Sequence, residues 1–182
     1  MSWWWFAIAG VIVVLVALYF SMTAGRLDAL HRRVDAAEHA LDVQLLRRSA
    51  LTLDLASSGL FDPATTVVLA EGAHAARTAD AADPVARGLA ESDLTRVLAE
   101  VLPDDTELEN LRDSPEAMNM LDELASTCAR VQLSRRFHND AVRACRQVRR
   151  HRAVRWFRLA GHTPWPQTME MDDTPPRALT DR

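Results

Sequence analysis

Asp42, Gln44, Arg48, Arg135 and Asn139 fall on or beside apolar stripes of helical spacing, where a charge or an amide needs a partner. An isolated buried charge is very costly, so such residues pair within the fold or meet a partner. One reading is an interhelical polar layer in which Asp42 meets Arg135 or Arg48 and fixes helix register. The other is a docking face for a second protein. Neither reading involves catalysis. The serines and cysteines have no recognisable base arrangement, and the remaining carboxylates read as helix surface. No HExxH, CxxC or EF-hand spacing occurs. His31 and His39 share a helix face but have no third ligand, and His138 reads as a core or edge filler. The expectation is a protein without enzymatic activity, metal or cofactor.

A second group is defined by charge. Residues 128–158 carry ten arginines against Asp140 alone, whereas residues 60–127 are strongly acidic, with a net charge of −11 within an overall −4. The acidic and basic stretches either neutralise each other as neighbours or serve separate partners. Arg143, Arg146, Arg149, Arg150, Arg152 and Arg155, with Arg158 beyond them, form a basic patch facing a membrane or a protein. Anionic headgroups would add about 1 kcal/mol per cation near the surface. Nucleic acid is not expected, since no nucleic-acid fold and no interleaved aromatics accompany the arginines. Every basic residue is arginine, which fits a compositionally biased genome and carries no functional weight.

The elements that must position these groups are helices. Trp3 to Met22 is a run of 20 residues without a charge, long enough as a helix to cross about 30 Å of hydrocarbon. Trp3, Trp4, Trp5 and Tyr19 occupy the two interfacial positions. The segment before the run has no charged side chain, and the run is longer than a cleaved signal's, so an uncleaved anchor over residues 1–25 is expected. Arg26, Arg32 and Arg33 follow it, which by the positive-inside rule leaves the N-terminus outside and the domain in the cytoplasm.

Behind the anchor, residues 26–171 read as one all-α domain. Leu27, Leu30, Val34, Ala37, Leu41 and Leu45, continued by Leu53 and Ala56, mark a helix from about Arg26 to Ser58 that Gly59 ends. Asp62-Pro63, Asp83-Pro84 and Ser114-Pro115 are three cap-and-proline starts. They open helices over about 63–81, 84–102 and 115–150, with a break at Pro103 and a short turn between Glu107 and Leu111. The last helix is striped by Met118, Leu121, Ala125, Cys128, Val131, His138, Val142 and Cys145. Cys128 and Cys145 lie about 25 Å apart along it, too far for a mutual disulfide. Trp156, Phe157 and Trp165 belong to an irregular segment packed back on the bundle, and residues 172–182 are expected to be a disordered tail. If the helices flanking Pro84 are continuous, the bundle has three members; if the chain reverses there, it has four.

Two blocks carry a resemblance. Asp42-Val43-Gln44-Leu45-Leu46-Arg47-Arg48 stands in the first helix, preceded by Leu30, Arg33, Val34 and Ala37. Arg135-Arg136-Phe137-His138-Asn139-Asp140-Ala141-Val142-Arg143 stands in the last. Behind an N-terminal membrane helix, these resemble the LemA family of bacterial membrane proteins over about Leu27 to Met171. The chain departs from that pattern at Glu38, Ser49, His138 and Cys145, where family members carry aromatics, and at Thr52-Leu53-Asp54-Leu55. The resemblance implies a long antiparallel four-helix bundle at the bacterial plasma membrane, and a family with no established enzymatic activity. A membrane-tethered scaffold for a membrane or cytoplasmic protein is the expected role, with a signalling or stress-response element acting through oligomerisation as the alternative. With this topology, a protease applied to intact cells removes a tag added before Met1 and spares one added after Arg182. The opposite pattern overturns the orientation.

Overall fold

The computed structural model describes residues 3–102, 114–151, 154 and 163–180. Among these residues every regular element is a helix: α1 (Trp3–Ser57), α2 (Pro63–Thr78), α3 (Pro84–Val101), α4 (Pro115–Arg149) and the short α5 (Arg177–Thr180). The expected anchor and the first body helix are one uninterrupted helix of 55 residues. No glycine turn or proline lies between Met22 and Arg26 to break it, since Gly25 alone costs only about 1 kcal/mol in a helix interior. Its N-terminal part is exposed on all sides and is long and apolar enough to cross a membrane.

The three helix starts use the chemistry their sequences announce. Asp62 Oδ1 accepts from the amides of Ala64 and Thr65, at 2.9 and 3.2 Å, ahead of Pro63. Asp83 Oδ1 does the same for Val85 and Ala86, at 3.0 and 3.1 Å, ahead of Pro84. The first free amides of each helix are thereby satisfied. Gly59 ends α1 in the left-handed region, at φ 76°, where a side chain would be strained.

α2 and α3 pack against each other across the connection at 79–83, so the helices flanking Pro84 are two neighbours and not one kinked rod. The break at Pro103 and the turn between Glu107 and Leu111 lie outside the described residues.

Two compact units emerge, and α1 and α4 run through both. The larger comprises Ala37–Asn139 and Gln167–Arg182. Its main cluster joins Leu55 and Ala56 of α1, Leu69, Ala73 and Ala76 of α2, Leu94 and Leu98 of α3, and Leu121, Leu124 and Cys128 of α4. A second cluster joins Leu41 and Leu45 with Val131. Later residues of α1 thus meet earlier residues of α4, which makes the two helices antiparallel within this unit. Each fully buried leucine contributes about 1.5–3 kcal/mol. The apolar stripe of α1 agrees with its spacing except near its end, where Thr52, Leu55 and Ala56 face inward and Leu53 is only half-buried. The smaller unit comprises Met1–Ala36 and Asp140–Pro166, with Leu27, Val34, Val142, Cys145 and Val154 buried.

The tail differs from its expectation. Residues 172–182 read as disordered because they are polar and rich in proline. In the structure Asp173 pairs with Arg135, and Ala178 and Leu179 of α5 enter the main core cluster. Those two apolar side chains repay the ordering of a short polar stretch. Of the expected aromatics, Trp156 and Phe157 lie outside the described residues. Trp165 sits on an irregular, half-exposed segment held by α4.

Two glycines test this packing. A Cβ at Gly88 would stand 2.2 Å from the Glu170 carbonyl oxygen, so Gly88→Ala forces the tail off α3. The expected cost is about 1–3 kcal/mol, with faster hydrogen exchange over residues 169–174. A Cβ at Gly72 meets Val97 and Leu94 at 3.5 and 3.7 Å, ordinary contact, so Gly72→Ala is expected to stabilise by up to about 1 kcal/mol. Chemical denaturation in micelles distinguishes the two signs.

Candidate functional site

Most polar residues of α1 and α4 are brought to order by α3 and the tail, while Arg47 of α1 meets Glu123 of α4. Asp42 does not meet Arg135 or Arg48. Its Oδ1 accepts from Arg87 Nη1 of α3 at 2.6 Å, in a half-exposed position. Arg48 is 2% exposed, the largest side chain in the interior. Its Nη2 donates to Glu91 Oε2 at 2.5 Å and to the Glu91 carbonyl at 3.0 Å, and its Nη1 donates to Thr95 Oγ1 at 3.1 Å. Thr95 in turn donates to the Glu91 carbonyl at 3.0 Å. The interhelical polar layer therefore exists, but with Glu91, Thr95 and Arg87 as the partners.

Burial pushes the Glu91 carboxyl above its ordinary value, against the opposing pull of Arg48 beside it. Burial raises the Cys128 thiol as well, again against Arg48. Burial also raises the Cys145 thiol, with Arg149 opposing and Asp35 reinforcing the shift. A thiol held protonated is a poor nucleophile and a poor metal ligand. No group of three or more His, Cys, Asp or Glu side chains is placed to hold a metal among the described residues.

The remaining motif residues have separate partners. Arg47 pairs with Glu123 of α4 at the surface. Gln44 Oε1 is buried without a hydrogen bond among the described residues. Arg135 grips Asp173 of the tail with both Nε and Nη2, at 2.7 and 2.9 Å. This fork is the strong geometry for a guanidinium and a carboxylate. Asp173 is the main reason why the Arg135 guanidinium rises above its ordinary value. Asn139 engages the backbone of Met169 from both sides of its amide.

At the end of α4 the basic patch is partly consumed. Arg146 Nε donates to the Pro166 carbonyl at 2.7 Å. Arg149 donates to the Pro164 and Thr163 carbonyls at 2.6 and 2.8 Å and lies 5.0 Å over the Trp165 ring. These two cations hold the returning chain. Arg143 bonds Asp140 at 2.6 Å on the surface. Arg143, Arg146 and Arg150 line an open depression with Gln147 and His151. Arg152 and Arg155 lie outside the described residues.

Sequence reasoning missed Glu91, Thr95, Arg87 and Asp173. A signal existed for the first two: in α3, Gly88, Glu91, Leu94, Thr95 and Leu98 form one buried stripe, and Glu91 is its single charge. Asp173 had none, because it stands in a segment with no periodicity. No family model matches the chain, and no curated protein matches it.

The buried pair generates a signed pH prediction. Glu91's folded value lies above its reference of 4.5, so the native state holds a proton that the unfolded chain has released in the window just above that reference. Stability from this group is full on the acid side and falls as pH rises through the raised value. Glu91→Gln removes that slope and leaves a buried guanidinium that cannot shed its charge, at a cost of about 3–5 kcal/mol. Arg48→Met costs less at pH 5 than at pH 8, because Glu91 can neutralise itself by protonation. The double change Arg48→Met with Glu91→Leu recovers most of the loss. Denaturation midpoints at the two pH values check all three.

Proposed function

We propose that the chain is a membrane-anchored, non-enzymatic adaptor of LemA-like type, whose cytoplasmic four-helix antiparallel bundle is presented to a membrane or cytoplasmic protein. The observation that carries this reading is α1 itself, in which a stretch of mean hydropathy 2.4 passes without a break into the buried face of the bundle. A helix built this way is both anchor and scaffold strut. In this reading the N-terminus is outside and the domain lies on the cytoplasmic face of a bacterial plasma membrane. Arg143 and Arg150 then share a compact unit with the apolar stretch, on the side where anionic headgroups attract cations.

The polar groups best suited to chemistry support the same reading by being engaged elsewhere. Arg48 and Glu91 pair with each other in the interior, and burial pushes both thiols above their ordinary value. A second reading, action through oligomerisation, is favoured by Leu133 and Phe137. They lie one turn apart on α4 and are 52% and 57% exposed.

Crosslinking mass spectrometry on native membranes separates the two, using carboxylate-reactive reagents because the chain has no lysine. Crosslinks from Asp104–Glu123 to a specific second protein are expected. Crosslinks confined to the chain and its own copies would instead support oligomerisation, and Phe137→Glu should then reduce the size of the detergent-solubilised species.

A further inference from the structure

The tail between Gln167 and Thr174 is held the way a groove holds a peptide. It has no helix of its own, and its side chains alternate: Met169, Met171 and Asp173 face inward, while Glu170, Asp172 and Thr174 are exposed. That is the period of an extended strand. Pro166 before it and Pro175 and Pro176 after it favour extended backbone on both sides.

Most of the contacts that hold it address the main chain. Asn139 Nδ2 donates to the Met169 carbonyl at 3.0 Å, and Asn139 Oδ1 accepts from the Met169 amide at 2.9 Å. One side-chain amide thus supplies both bonds that a neighbouring strand would supply to that residue. Gln132 Nε2 donates to the Asp173 carbonyl at 2.8 Å, and Ser92 Oγ accepts from the Asp172 amide at 2.9 Å. Gly88 contributes by absence, since any Cβ there would strike the Glu170 carbonyl. Main-chain bonds give affinity for extended chain of any sequence, and pockets for alternate side chains give selectivity.

The side-chain pockets are few and specific. Met169 is 5% exposed in a cluster with Leu41, Leu45 and Val131, and Met171 packs at its edge. Four residues after Met169, Asp173 meets the Arg135 fork at 2.7 and 2.9 Å. Helix side chains make five main-chain contacts to residues 167–173.

We propose that this groove, floored by α1 and walled by α3 and α4, is a peptide-binding site. Its ligand is an extended segment of a partner protein with the pattern Met-x-Met-x-Asp, or another long unbranched apolar residue at the first two positions. The chain's own residues 167–174 are the resident occupant, which the partner's segment displaces. The charge agrees, because the groove ends in a guanidinium and asks for a carboxylate. The inference rests on the adaptor reading and supplies its docking site.

The test uses the full chain in detergent micelles and a fluorescein-labelled peptide spanning Pro166–Thr180, followed by anisotropy. The tethered tail competes at an effective concentration on the order of millimolar, so the wild-type chain binds the free peptide weakly. Met169→Ser with Asp173→Asn loosens the resident tail and is expected to tighten peptide binding by about 100-fold or more. Adding Asn139→Ala or Arg135→Gln to that background abolishes the gain, as does Asp173→Asn in the peptide. If the loosened variant keeps its helical circular dichroism and binds no better than wild type, the segment is fixed cover and the proposal falls. Should that variant not fold, a protease site inserted after Ala160 and cut after folding serves instead. Replacement of the cut tail by labelled peptide supports the site, and an unchanged complex after a day with excess peptide overturns it. Crosslinks to a partner on native membranes, together with no peptide exchange, would leave the adaptor reading standing and remove this groove from it.

Discussion

A guanidinium enclosed in the interior of the helices is the constraint around which the rest of the larger unit is arranged. Arg48 has lost nearly all contact with water, and the several kcal/mol that desolvation costs must be offset by partners at fixed positions. Glu91 supplies both a carboxylate and a carbonyl, and Thr95 supplies a hydroxyl one turn further along α3. Those bonds can be made at one register of α3 against α1. A one-residue slide of either helix would leave a charge unpaired in the interior. The apolar clusters supply the stability, and the ion pair joins α1 to α3 at fixed positions.

The same logic recurs at the periphery with smaller stakes. Asp42 and Arg87 tie α1 to α3 at a half-exposed position, and Arg47 and Glu123 tie α1 to α4 at the surface. Exposed pairs of this kind contribute about 0–1 kcal/mol each. Their role is orientation. Arg135 with Asp173 stands between these extremes, since its fork is well formed and its surroundings are partly dry. It fastens the tail between the buried Met169 and the buried Ala178 and Leu179.

In α4 the basic residues divide by what they reach. Arg146 and Arg149 are long enough to take backbone carbonyls of the returning chain, and Arg149 also covers the Trp165 ring. A guanidinium satisfies such carbonyls while its outer edge stays wet. An arginine-rich helix end can therefore organise an irregular segment and still present positive charge. Counting charge in the sequence alone assigns all of it to an outside partner.

Much of the architecture was legible in one dimension, and the reason is local. Cap-and-proline pairs at Asp62, Asp83 and Ser114, the glycine after α1 and the uncharged run from Trp3 act within a few residues of themselves. Helix type and boundaries followed from them to within a few residues. Apolar spacing likewise identified Leu41, Leu45, Leu121, Cys128 and Val131 as interior. Composition suggested that Arg48 and Arg135 needed partners, and the buried stripe of α3 held the signal that would have pointed to Glu91. What only the tertiary structure decided is pairing: Arg48 with Glu91 and not Asp42, Arg135 with Asp173, and the tail laid along α3 and α4. These contacts join residues more than 35 positions apart in the chain, and neither periodicity nor local propensity extends that far. Their choice is made by the cost of leaving a buried charge or amide unsatisfied once the helices have come together.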